Sequence, residues 1–503
     1  MKTKKYKYLL FAIAIIATVI SCSDEYLDVE PKGVFLSGNY YANQEQAFAG
    51  LVSVYDVMRK NSGGFENMIT MFNAGSDDHY AGGGNSSDGA GIQSFSNYSI
   101  DPIQMPLSFW SDHYQGIYRA NILLLRLPVT SMDESVKTRY TAETKALRAN
   151  YYFNLVRMFG NVPLILEPIS PADMYSVTQS APAAIYEQIE NDLLEAIPAL
   201  PASLNLATEA GRFTKGAAQA LLGKVYLYQN KNTLAAEQLA QVNGTPGQTS
   251  QYGYKLLEDF NDLWVVDNKF NTEAILEVVH TNVGLSGWGN WGSGSDEGNS
   301  VNVMVGPRNY LQKTDNAPDL PSGWSFNPIV PELYDLLKND PRFEATILDL
   351  KALSESGDAE YIAGYQDTGY FLNKFTPTKA VEHTGAGDAV LNYRQNTYAI
   401  RLADTYLMEA EALGATGTRA QALLDAVRSR VGLPSIPVSM NAIMAERRLE
   451  LAGEGHRWFD LVRTGQAATK LSSRGFVAGK HEILPIPFKE LENTKLVQNP
   501  NYN

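Results

Sequence analysis

Residues 445–465, AERRLELAGEGHRWFDLVRTG, crowd acidic and basic side chains together with Leu449, Leu451, Trp458, Phe459, Leu461 and Val462. A segment this apolar has to be buried, and charges carried inward with it must meet partners there. The stretch therefore predicts a partly buried ion-pair network that clamps helices together. Glu446, Arg447, Arg448 and Glu450 favour helix. Arg447 could reach Glu450, and Glu454 could reach Arg457, at the spacing of helical neighbours. Gly453 and Gly455 interrupt the pattern and predict a bend. Glu450, Glu454 and His456 could also be read as catalytic, but charges this dense are more often satisfied structurally.

The rest of the chain suits a helical scaffold of some size. It has 503 residues, 44% hydrophobic and 19% charged, enough for a large core or two sub-domains. The formal charge is -14, and a leader holding Lys2, Lys4, Lys5 and Lys7 with no acid accounts for four positive charges, leaving -18 without it. That balance argues against nucleic acid as a partner. Cys22 is the only cysteine, which excludes an internal disulfide framework and a cysteine-rich metal site.

Residues 1–21 read as a signal peptide: basic residues open it, and Leu9 to Ile20 form an apolar run too short to span a membrane comfortably. Cys22 directly follows that run and the small Ser21, as a lipidated N-terminus requires. Two or more acyl chains on it would anchor the protein stably. Residues 22–41, with Pro31 and Gly33, read as a lipidated tether.

Residues 42–243 form a helical region. Ala47, Leu51, Val52, Tyr55 and Met58 suit one amphipathic helix ending near Asn61-Ser62-Gly63-Gly64. Further helices are predicted over Phe109 to Leu127, Thr141 to Phe159, Ala184 to Ile197, Ala218 to Gln229 and Asn232 to Val242. Small residues such as Ala220 and Gly223 beside large ones let paired helices approach closely. Residues 244–390 are loop-rich, with one clear strand, Ala274 to Val279, and a short helix, Pro331 to Lys338. Residues 391–503 return to helix at Tyr398 to Leu413, Thr418 to Val431 and the opening stretch. The fold class is mainly α: tetratricopeptide-like helix pairs with long loop-rich insertions and a few short strands.

Two loops carry the candidate site. Gly75 to Asp101 holds Asp77, Asp78, His79 and Tyr80, then Gly82-Gly83-Gly84. A loop this long in a compact protein commonly serves a function. No Lys-Ser/Thr follows the glycines, so a phosphate loop is unsupported. Trp288 and Trp291 lie in a second glycine-rich loop with little local side chain to pack against, and Trp324 has a similar setting. Exposed indoles can stack on the apolar faces of pyranose rings, with hydrogen-bonding groups at the rim. Asn290, Asn299, Asn302 and Arg308 are placed for that role, with Tyr361, Tyr365 and Tyr370 as secondary platforms. Trp110 and Trp264 are assigned to the core. The ligand-binding set is Trp288, Trp291, Trp324, Asp78, Tyr80, Asn290 and Arg308. No cofactor is expected: the loop acids suggest calcium, but a hard cation needs more oxygen ligands than any recognisable loop supplies.

Several motifs resemble the SusD/RagB family, the surface glycan-binding lipoproteins of Bacteroidetes. They are Glu446-Arg447-Arg448, Glu450-Leu451 and Glu454 to Leu461, then residues 146–164, ALRANYYFNLVRMFGNVPL. Arg401-Leu402-Ala403-Asp404, Glu409-Ala410-Glu411-Ala412, Ile483 to Pro487 and Gln498 to Tyr502 complete the series. Ser23-Asp24-Glu25 resembles the family's acidic export tag. The chain departs from the pattern at Gly453, where an aromatic is usual, and at Asn501, where glycine is. The resemblance implies no enzyme but an outer-membrane lipoprotein that captures an oligo- or polysaccharide at the cell surface. It would deliver the glycan to a SusC-like TonB-dependent transporter. Two rivals are a helical-repeat scaffold that binds peptide and a glycoside hydrolase using Asp77, Asp78, Asp296 or Glu297.

Overall fold

The computed structural model describes residues 40–502. The leader, Cys22 and the tether to residue 39 lie outside the described residues. The helices that build the scaffold and the site are α1 Gln44–Tyr55, α2 Met68–Ala74, α3 Ala90–Ser96, α4 Ser108–Arg126, α5 Glu134–Phe159, α6 Pro182–Ala196, α7 Lys215–Tyr228 and α8 Asn232–Asn243. They continue with α9 Ser300–Val305, α10 Leu402–Ala412, α11 Gly417–Arg430, α12 Met440–Glu450 and α13 Arg457–Arg463. Successive helices pack as neighbours: α4 on α5, α5 on α6, α7 on α8, and α10 on α11. The α8–α10 contact joins the N-terminal pairs to the C-terminal ones across the loop-rich segment.

Small residues set the closest approaches. A Cβ at Gly223 of α7 would fall 2.6 Å from Leu239 Cγ of α8, and one at Gly116 of α4 would fall 2.6 Å from the Tyr151 ring of α5. Side chains fix the helix starts. Asp133 accepts from the Ser135 and Val136 amides, which begins α5 seven residues before Thr141, and Thr214 and Ser439 cap α7 and α12. Arg148 of α5 forms a paired bond to Asp192 of α6 at 2.8 and 2.7 Å and donates to Asn121 of α4, tying three helices at one buried point.

Strands are few and short. β1 Ala274–Val278 pairs antiparallel with β2 Thr397–Arg401, and two smaller two-stranded sheets lie among the insertions. Tyr398 to Arg401 thus belong to a strand and not to the start of the following helix. Thr397, Tyr398 and Ile400 find ladder partners on β1, an alternative that local helical periodicity does not reveal. Within Gly75 to Asp101, α3 forms where no periodicity was evident.

The clamp is present, but its pairing differs from the local one. Arg447 binds Asp404 at 2.7 Å and Asp460 at 3.0 Å, not Glu450. Glu450 instead meets Arg342 at 3.0 Å, Arg401 at 2.7 Å and Arg430. Glu454 meets Arg401 at 2.8 Å and Lys374 at 2.9 Å, not Arg457. Gly453 and Gly455, at φ +77° and +80°, end the helical path, so residues 454 and 457 never share a helix face. Asn73 of α2 holds this bend, donating to the Gly453 carbonyl and accepting from the Gly455 amide. A Cβ at Gly453 would fall 2.3 Å from Leu372, whose side chain fills that space. Asn501 takes φ +68°, the left-handed turn that asparagine tolerates in place of glycine. Trp110 is buried, and Trp264 packs edge-on against Phe260, Phe375 and Tyr398.

Candidate functional site

The loop after β1 is closed at its neck and braced inside. The Thr281 amide donates to the Glu297 carbonyl at 3.0 Å, and the buried His280 ring meets Ser62 Oγ at 2.7 Å. Asp296 accepts from the Ser286 hydroxyl and the Gly292 amide, both at 2.8 Å. Asn290 accepts from the Gly287 amide at 2.7 Å and donates to Ser295 Oγ at 3.1 Å. Asn392 exchanges two bonds with the Ser286 backbone, and Asp388 accepts from the Trp288 amide at 3.2 Å. With its backbone held this way, the loop presents its tryptophans from a fixed frame.

Trp288, Trp291 and Trp324 come together. Trp288 and Trp324 stack with centroids 5.9 Å apart and planes 25° apart. Trp291 stands edge-on to both, at 5.7 Å and 82° to Trp288 and 5.4 Å and 78° to Trp324. Trp288 is 58% exposed; the other two are half-buried. Trp291 is anchored by a 2.9 Å bond from Nε1 to Ser300 Oγ and by Phe65, edge-on at 5.7 Å. Trp324 is placed by its amide, which donates to Val303 of α9 at 2.9 Å. A Cβ at Gly323 would fall 2.4 Å from Gly306, so glycine permits the backbone contact that sets this segment against α9.

The first glycine-rich loop meets the same cluster. A Cβ at Gly83 would fall 2.8 Å from the Phe326 ring and one at Gly89 would fall 2.9 Å from Phe65, and Phe65 and Phe326 are themselves edge-on at 5.3 Å. Asp88 accepts from the Gly84 amide at 2.7 Å and from Arg308 Nη2 at 3.2 Å. The half-exposed Arg308 thus stands at the rim, with its buried Nε lacking a protein partner among the described residues.

Other expected members take different places. Asp78 is 1% exposed and binds Arg448 at 2.7 Å, which places it in the clamp. Asp77 pairs with Arg457 at 2.7 and 2.8 Å; burial raises its carboxyl, and the Arg457 and Arg448 guanidinium groups outweigh that and hold it below the ordinary range. Asn290 spends its amide on the loop itself. Asn299 and Asn302 are buried and bonded to Gln395. Tyr80 is half-buried, with the Arg474 guanidinium 4.9 Å from its ring centre. Tyr370 stacks on Tyr334 at 3.9 Å and Tyr361 donates to Asp367 at 2.9 Å, whereas Tyr365 is exposed. The site residues that sequence reasoning missed are Phe65, Phe326, Asp88 and Asp388. Gly63-Gly64 before Phe65, and the place of Asp88 in the first glycine-rich loop, were the signals the sequence offered.

Asp77 and Asp78 are held by arginines, and Asp296 by a hydroxyl and loop amides. Burial, and then Asp56, raises the Glu297 carboxyl. Its side chain packs on Gly284. Among the described residues no group of three or more His, Cys, Asp and Glu side chains could hold a metal ion.

A helix-pair scaffold carries a braced aromatic corner with a guanidinium at its rim, an arrangement suited to ligands with flat apolar faces and polar edges. Comparison with known proteins gives the family. Residues 332–502 match the model described as the SusD family, and residues 25–227 match one described as starch-binding associating with outer membrane. A solved laminarin binding SusD-like protein is 69% identical, superposes with a TM-score of 0.91, and covers 92% of this chain and 100% of its own. Surface glycan-binding protein A from Bacteroides thetaiotaomicron, solved in complex with laminarihexaose, is 27% identical with a TM-score of 0.81, covering 91% of this chain and 100% of its own. SusD-like protein P2 of Formosa agariphila is 26% identical across 99% of this chain and 100% of its own length. The chain belongs to the SusD family of glycan-binding proteins.

Proposed function

We propose that this protein captures a laminarin-type polysaccharide at the cell surface, without cleaving it, and passes it to a SusC-like TonB-dependent transporter in the outer membrane. Cys22 is the lipid anchor in this reading. The carrying observation is the convergence of Trp288, Trp291 and Trp324 into one solvent-facing corner, from segments separated in sequence. The 69% identical laminarin binding relative supports the choice of glycan. The family description supports the outer membrane, and no helix among the described residues is long and apolar enough to cross a membrane.

Calorimetric titration with laminarin and with starch, alongside an assay for released reducing ends, tests the reading. Saturable binding of laminarin with no release is the expected result. Starch bound in its place would change the ligand, and binding of neither would overturn the capture role. Co-purification of the transporter with the wild-type lipoprotein, by detergent extraction of membranes from a cell that encodes both, tests the handover.

A further inference from the structure

A second aromatic groove lies on the far side of the first glycine-rich loop. Tyr80, Tyr365, Gln366, Asn97, Ser473 and Arg474 line a cavity of about 300 Å³. Tyr365 is 38% exposed, and Gln366, Asn97 and Ser473 are also open to solvent. Arg474 spends Nη1 on the carbonyls of Ser76 and His79, which leaves Nε and Nη2 with no protein hydrogen bond among the described residues. The Gln366 and Ser473 side chains and the Asn97 amide nitrogen are likewise unspent. No carboxylate lines the groove. An open aromatic face surrounded by uncommitted donors, without an acid, suits a neutral polyhydroxyl ligand.

The groove adjoins the tryptophan corner through a short path. The Tyr365 amide donates to the Gly83 carbonyl at 2.8 Å, and a Cβ at Gly364 would fall 3.0 Å from Ser325 Cβ. Ser325 follows Trp324 and Gly364 precedes Tyr365, so the backbones of Trp324 and Tyr365 lie within roughly 14 Å of each other.

We infer that this groove is a second contact for the same glycan, reached only by chains long enough to run from the tryptophan corner across the loop to Tyr365. This rests on the glycan reading above. Each contact holds a separate stretch of one chain, so the second raises affinity for long ligands through effective concentration.

The test is calorimetric titration of the parent, Tyr365→Ala, Tyr365→Phe and Trp288→Ala with laminaritriose and laminarihexaose, with a melting curve for each. In Tyr365→Ala the preference for hexaose over triose should fall roughly 3- to 10-fold, and Tyr365→Phe, which keeps the ring, should recover most of it. Trp288→Ala should weaken both ligands. An unchanged length preference in a stably folded Tyr365→Ala, with Trp288→Ala still weakened, overturns the second contact and leaves the glycan reading standing. A parent that binds neither oligosaccharide overturns both.

Discussion

Trp288 and Trp291 differ in what they can lose. Trp288 is exposed and stacks only on its fellow indoles, so Trp288→Ala should weaken laminarin binding about tenfold to a hundredfold and leave the melting temperature unchanged. Trp291 also holds Ser300 and Phe65, so Trp291→Ala should weaken binding and lower the melting temperature as well. Titration and a melting curve on each variant separate the two; a Trp288→Ala protein that binds like the parent would remove the corner as the site. Asp78→Asn should destabilise without affecting the affinity of the folded fraction, because its partner is Arg448. The tryptophans were legible in the sequence because a large aromatic in a glycine-rich loop has nothing local to pack on. The roles of Asp78 and Asn290 were not, since a short polar side chain bonds to whatever the fold brings within about 3 Å.

At the scale of elements, the clamp holds α12, α11, β2 and the 340–342 turn through one carboxylate, Glu450. Burial alone would raise its carboxyl; Arg430, Arg401 and Arg342 outweigh that and hold it well below the usual range. Glu450→Ala leaves three buried or nearly buried guanidinium groups short of a partner, and should cost about 3–5 kcal/mol in chemical denaturation. A loss under about 1 kcal/mol, the scale of an exposed pair, would show the network to be redundant. The need for such a network could be read from charge beside aromatic bulk. Its wiring could not: Glu450 and Arg401 are 49 residues apart, and the bend at Gly453 redirects the residues that follow.

For the whole molecule, acid should act in two stages. Burial pushes the imidazoles of His79, His280 and His456 down to about 4 and that of His113 to about 3. The unfolded chain takes up protons near pH 6.5 at these residues, so it binds more protons than the fold between about pH 6.5 and 4, and stability falls as the pH drops through that range. Glu450 and Glu454 act lower down. Their stabilisation is complete above about pH 4.5, the unfolded range, and is lost as the pH falls through their depressed folded values. Melting temperature followed from pH 8 to 3 should therefore be flat at first, decline below about 6.5 and steepen below about 4.5. A curve flat down to pH 4.5 would contradict the neutral burial of the histidines. The anchor has its own test: Cys22→Ser should abolish palmitate labelling, and unchanged labelling would exclude Cys22 as the lipidated residue.

The sequence by itself determined the helical scaffold, the buried clamp and the tryptophan-bearing loops, because periodicity, charge beside apolar bulk, and aromatics among glycines are local patterns with local physical causes. Tertiary structure alone decided that Trp288, Trp291 and Trp324 share one corner, that Phe65 packs on Trp291, Trp324 and Phe326, and that Asp88 rather than Asp78 joins Arg308 at the rim. Those outcomes depend on contacts between segments tens to hundreds of residues apart. Such contacts exist only where the packed helix pairs bring the loops to one face.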